Sequence, residues 1–166
     1  MMIKIYYHNN IFKIILLCFF YLISTAAFSQ NDVNEKLALQ YFQNKEFNKA
    51  AELYKKLYSQ KADPFYYNYY LDCLFELEDY KLAKKFVSNV AKKNPANIKY
   101  KVEIAYIEEL SGNKSKATKS YDKLIKSTSK KRYEFVNLAN AFLYRGLNNY
   151  AIKKVISIIK KNKHIF

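Results

Sequence analysis

Tryptophan is absent from this 166-residue chain, and glycine, proline, cysteine, methionine and histidine each occur only twice. Each shortage excludes something. Gly112 and Gly146 cannot form a glycine-rich phosphate loop, which needs several glycines close together so that backbone can wrap an anion. His8, His164, Cys18 and Cys73 are too few and too scattered for a four-ligand His/Cys metal site. No nucleophile–base pair stands out among the serines. Glu76, Glu78, Asp79, Glu108 and Glu109 are expected near helix ends and turns, where a solvated charge is the ordinary state. The sequence therefore asks for no enzyme, cofactor or metal. Arginine is also scarce: Arg132 and Arg145 are the only two among 29 basic residues. Nucleic-acid readers lean on the arginine fork for phosphates and base edges, so no nucleic-acid partner is expected.

What is present is a period. Ala50, Ala83, Ala117 and Ala151 stand 33, 34 and 34 residues apart, in the similar frames EFNKAAELY, DYKLAKKFV, NKSKATKSY and LNNYAIKKV. Upstream, Leu37-Ala38, Tyr70-Leu71, Ile104-Ala105 and Leu138-Ala139 align, and Tyr41, Leu74 and Phe142 follow four residues after the first of each pair. Glu108 takes that place in the third repeat. Downstream of the alanines come Tyr54, Val87, Tyr121 and Val155, then Leu57, Val90, Leu124 and Ile158. Spacings of three, four and seven put these on one helical face. Between the two runs lie Asn44-Lys45-Glu46, Leu77-Glu78-Asp79, Ser111-Gly112-Asn113 and Arg145-Gly146-Leu147, read as turns. Glycine suits the last two, because a helix end often needs positive φ. Pro64 and Pro95 fall between repeats, where a proline ends a helix without harm. The alanine lets two antiparallel helices approach; a larger side chain there would cost about 1–3 kcal/mol.

A helix–turn–helix unit recurring near every 34 residues resembles the tetratricopeptide repeat family, and exported bacterial arrays of it in particular. The likeness spans residues 31–163, with repeats near 31–63, 64–97, 98–131 and 132–163. It departs from the family pattern early in the first helices, where Tyr67 and Phe135 stand for the usual aromatic but Asn34 and Lys101 occupy the other repeats. The resemblance implies an all-α, right-handed superhelical solenoid of about four repeats. Its helices are expected at 34–44, 47–60, 65–77, 80–93, 98–111, 114–127, 132–145 and 148–162. It further implies a concave surface of first helices that holds another protein. Asn68, Asp72, Phe75, Tyr106, Glu109, Val136, Asn140 and Tyr144 are the candidate groove residues. Chaperone-binding members hold a terminal carboxylate with lysines and asparagines. Here no lysine is placed beside Asn68 or Asn140 in the repeat frame, so no such clamp is expected.

The first thirty residues read as an address. Lys4, His8 and Lys13 precede an uncharged run from Ile14 to Ile23, then Ser24-Thr25-Ala26-Ala27 and Phe28-Ser29-Gln30. A basic start, a ten-residue apolar centre and small residues describe a signal peptide, 1–29, cut after Ser29. The apolar stretch is short for a span, which takes about 20 residues. Localisation is then the periplasm or the outer envelope. Cys18 leaves with the peptide, and Cys73 is read as a small buried apolar residue rather than a redox or metal group.

The formal charge of +15 is uneven: residues 31–80 hold nine acids and six lysines, whereas residues 81–166 hold five acids and 21 basic residues. Most of those lysines fall in or beside second helices, which the resemblance places on the convex side. A solvated outer face is the plain reading. Weak contact with an anionic membrane is the functional one. Two functions follow. One is an exported scaffold that binds an unknown protein or peptide through its aromatic groove, and the other is an envelope accessory working through its basic face. At the C-terminal end Val155, Ile158 and Ile152 are expected to pack on their own hairpin. Ile156 and Ile159 would face outward, toward further repeats of a longer array or toward a partner or second copy.

Overall fold

The structure, a computed structural model, describes residues 32–127, 132–153 and 156. Among them every regular element is an α-helix: α1 over 32–43, α2 Phe47–Gln60, α3 Pro64–Glu76, α4 Tyr80–Lys93, α5 Ile98–Leu110, α6 Lys114–Ser127, α7 Arg132–Tyr144, and α8 from 148, followed to 153. The described fold is all-α and built of helix–turn–helix repeats. The described ends lie within two residues of those the period predicts. No described helix is long and apolar enough to cross a membrane. The signal peptide, and Val155, Ile158 and Ile159, lie outside the described residues.

Local chemistry starts and stops the helices where the repeat requires. Asp63 Oδ1 accepts from the Phe65 N–H at 2.9 Å, and Pro64 takes the first helical position, where its missing donor costs nothing. Asp79 Oδ1 accepts from the Leu82 N–H and Asn97 Oδ1 from the Lys99 N–H, both at 3.0 Å. At the turns one residue adopts the left-handed conformation: Lys45, Glu78, Gly112 and Gly146, with φ of 62°, 53°, 88° and 68°. In three of the turns the next N–H reaches back to the helix: Glu46 to the Tyr41 carbonyl, Asn113 to Glu108 and Leu147 to Phe142, at 2.8, 2.9 and 2.9 Å. That bond satisfies an orphan carbonyl and reverses the chain.

The reversal places the alanines. Ala50, Ala83, Ala117 and Ala151 are 0, 0, 1 and 4% exposed. Their neighbours Tyr54, Val87 and Tyr121 are fully buried.

The chain forms two compact units that part between Leu77 and Glu78, inside the second repeat. In the first, α1 to α3 enclose Ala38, Ala50, Leu57, Tyr70, Leu71 and Leu74. Tyr54 stacks on Tyr69 at 4.9 Å between centroids, and Tyr69 meets Phe42 edge-on at 4.9 Å. Tyr66 donates to Glu35 Oε2 at 2.5 Å, joining α3 to α1. Cys73 is buried, and burial pushes its thiol up to about 12. In the second unit Val102, Ala105, Ala117, Tyr121, Ile125, Leu138 and Phe142 share one core. Tyr121 lies edge-on to Phe142 at 5.7 Å and 4.5 Å from Tyr150.

Three expectations need correction. In α6 the fully packed residue is Ile125, while Leu124 is only partly buried, so the face is turned by one position. Ile152 is exposed rather than packed on its hairpin; Ile156, expected to face outward, is exposed too. Glu108 is not a solvated turn residue. It is 6% exposed, and its Oε1 accepts from Lys84 of α4 and, at 3.1 Å, from Lys116 of α6. The lysine partners, Lys84 above all, hold its carboxyl below the usual range. A buried carboxylate persists only when paired in this way.

Candidate functional site

The first helices of the third and fourth repeats, α5 and α7, lie side by side because their contact residues are small or apolar: Ala105 on one, Leu138 and Ala141 on the other, all buried. Above this contact is a recess of about 410 Å³. The start of α5 lines one wall with Ala96, Asn97, Ile98 and Lys99, and α7 lines the other with Asn137, Asn140, Ala141 and Tyr144. Two groove candidates, Asn140 and Tyr144, therefore meet in one cavity.

Charge enters from residues the repeat frame did not single out. Glu103, one turn after Lys99 on α5, is 1% exposed. Arg145, just past the end of α7, sends its Nη2 to Glu103 Oε1 at 3.0 Å, and that side chain is only 7% exposed. Lys99 Nζ stands 3.9 Å from the same oxygen. The Tyr144 ring has two cations on it, with Lys99 Nζ at 4.7 Å and Arg145 Cζ at 4.8 Å from its centroid. Tyr106 lies next to this group, 5.8 Å from Arg145 Cζ. Lys99 brings a positive charge to the recess wall, and Glu103 beside it holds both cations in a half-buried setting, where charges act more strongly than in water.

The other candidates stand elsewhere. Glu109 turns toward α6, where its Oε2 accepts from the Tyr121 hydroxyl at 2.9 Å. Burial first, and this bond second, raise the Tyr121 phenol above its ordinary range. Glu109 borders a separate recess of about 330 Å³ with Gly146, Leu147, Asn148, Asn149 and Tyr150. Val136 is an exposed residue of α7. Asn68, Asp72 and Phe75 are half-buried residues of α3 in the first unit, at spacings of four and three.

The sequence expectation that no lysine stands beside Asn140 is corrected: Lys99 lines the same recess. One turn of helix separates Lys99 from Glu103, a spacing visible in the sequence. Arg145 was hidden because it was read as a turn residue. Among the described residues no group of three or more His, Cys, Asp or Glu side chains is placed to hold a metal ion.

No family model matches the sequence, and no curated protein matches it. Among solved structures the chain is similar to the crystal structure of MamA, at 18% identity over 81% of this chain and 79% of that one, with a TM-score of 0.45.

Proposed function

We propose that this chain is an exported scaffold for protein–protein interaction, held in the periplasm or at the cell envelope, and that the recess between α5 and α7 takes an acidic segment of a partner polypeptide. The observation that carries the reading is the Tyr144 ring, exposed at the recess and flanked by Lys99 and Arg145 with Glu103 as their shared counter-charge. The rigid aromatic offers contact area at low entropic cost. The cations favour a carboxylate, and the Asn137 and Asn140 amides can both donate and accept toward a backbone. The role is binding rather than catalysis.

The test is a capture from the native envelope with the chain carrying a photo-crosslinker at Asn140. One acidic polypeptide should be cross-linked, and Tyr144→Ala/Lys99→Glu should lose it. Capture unchanged by those substitutions overturns the reading. Export is tested separately by N-terminal sequencing of the native protein, with a start at Gln30 expected.

A further inference from the structure

The lysines of the second unit are sorted more sharply than net charge requires. The helix α4 carries Lys81, Lys84, Lys85, Lys92 and Lys93 and no carboxylate. The helix α6 carries Lys114, Lys116, Lys119, Lys123 and Lys126 and one carboxylate, Asp122, which already accepts from Lys153 of α8 at 2.6 Å. Lys84 and Lys116 both reach Oε1 of Glu108, so a single buried oxygen ties the two lysine-bearing helices to one point of α5. Each of the two helices also carries a row of exposed lysines: Lys81, Lys85 and Lys92 on α4, and Lys119, Lys123 and Lys126 on α6. Their spacings of three, four and seven keep each row on one face of its helix. None of the six forms an ion pair with a described carboxylate. The rows run for roughly 17 and 10 Å at 1.5 Å per residue.

We propose that this α4–α6 face is a docking surface for an anionic lipid bilayer. The inference is independent of the groove reading, since it uses different helices. Three features select a lipid surface over nucleic acid. The face has no arginine, and a lysine ammonium acts as a point charge that needs no matched geometry, which suits an array of headgroup phosphates. It also offers no base-stacking platform, because among the described residues the exposed large apolar side chains fall on other elements: Val33 on α1, Phe65 on α3, Tyr133, Val136, Leu143 and Tyr144 on α7, and Ile152 and Ile156 beyond. The same lack of exposed apolar residues means that the face lies on the headgroups without inserting. Finally, Lys119, Lys123 and Lys126 border a shallow recess of about 460 Å³ with Asp122 and Ser127, open enough for a headgroup to enter.

Such docking is electrostatic throughout, so it must fade with salt. Each lysine near an anionic surface contributes roughly fivefold in partitioning, so Lys119→Glu/Lys123→Glu lowers it by about thirtyfold or more. The experiment is co-sedimentation of the full chain with vesicles of mixed phosphatidylglycerol and phosphatidylcholine and with vesicles of phosphatidylcholine alone. The apolar run Ile14–Ile23 contributes to both vesicle types, so the readout is the ratio of the two partition coefficients. A ratio well above one, lost between about 0.05 and 0.5 M salt, is expected. Lys119→Glu/Lys123→Glu should abolish it. Lys55→Glu/Lys56→Glu on α2, an equal change of net charge, should keep it. Circular dichroism establishes that both variants are folded. A ratio near one for wild type overturns the proposal, as does equal loss in the α2 variant. So does displacement of bound protein from the vesicles by an oligonucleotide at lower phosphate concentration than the lipid supplies.

Discussion

Glu108 occupies in the third repeat the position that Phe142 occupies in the fourth, and both side chains are buried. The repeat thus tolerates a carboxylate where the others carry Tyr41, Leu74 and Phe142, because Lys84 and Lys116 arrive from the flanking helices. The substitution Glu108→Leu removes a buried charge and returns two exposed lysines to water. Buried pairs replaced by apolar groups are often neutral or better. We expect a thermal midpoint at neutral pH within a few degrees of wild type, measured by circular dichroism. A loss of more than about 3 kcal/mol would mean that the ion pairs stabilise the unit beyond their desolvation cost.

The same carboxylate sets a pH dependence. Its lysine partners lower the Glu108 pKa in the folded state below the ordinary 4.5. A depressed acid contributes stability that is fully present above its unfolded pKa and is lost as pH falls through the folded one. Denaturant titrations from pH 7 downward should show wild type losing stability below the ordinary carboxylate range. The Glu108→Leu variant should lose less over the same interval.

The turns can be tested without touching the core. A Cβ added at Gly112 would meet nothing within 4 Å, yet φ there is +88°. Gly112→Ala should therefore cost about 1–2 kcal/mol through backbone strain alone. At Glu78, φ is +53° and the residue is not glycine. Glu78→Gly should gain about 0.5–1 kcal/mol, since strain relief outweighs the added unfolded-state entropy. Chemical denaturation of the two variants checks both signs.

Arg145 and Glu103 should behave as one unit. Removing Arg145 takes from a carboxylate that is 1% exposed the guanidinium 3.0 Å from its Oε1. Arg145→Met is expected to cost about 3 kcal/mol. Arg145→Met/Glu103→Leu should cost less than the two single changes together, a coupling that a double-mutant cycle reads directly.

The Cys73 thiol should be inert. Burial pushes it up to about 12, so almost no thiolate exists at pH 8. In a Cys18→Ser background, a thiol reagent should label the native chain at a negligible rate and label it fully once denatured. Rapid native labelling would show that α3 opens.

Much of the fold was legible because it rests on local, periodic chemistry. The alanines, the turns and the prolines each announce themselves within a few residues. The groove was legible only in part. Asn140 and Tyr144 could be placed by counting along α7, but Lys99 and Arg145 come together across 46 residues of chain, and no period encodes that meeting. The carboxylate at 108 breaks the apolar pattern, and its place in the sequence suggests only a solvated charge near a helix end. Its rescue by Lys84 and Lys116 depends on side-chain reach, which spacing does not report. The shift from Leu124 to Ile125 has the same origin, since two adjacent aliphatic residues leave the choice of face to packing.

The left-handed residues Lys45, Glu78, Gly112 and Gly146 each stand five positions before a buried alanine. That fixed interval bears on what lengths of insertion the gene can accept. Gaining or losing a whole period keeps every alanine in phase with its own turn. A single extra codon between turn and alanine rotates the helix by about 100° and exchanges the alanine for a neighbour. In the third repeat the neighbours of Ala117 are Lys116 and Thr118, neither of which fits a closed interhelical contact. Insertions in this chain should therefore be tolerated in multiples of a repeat and rejected one residue at a time.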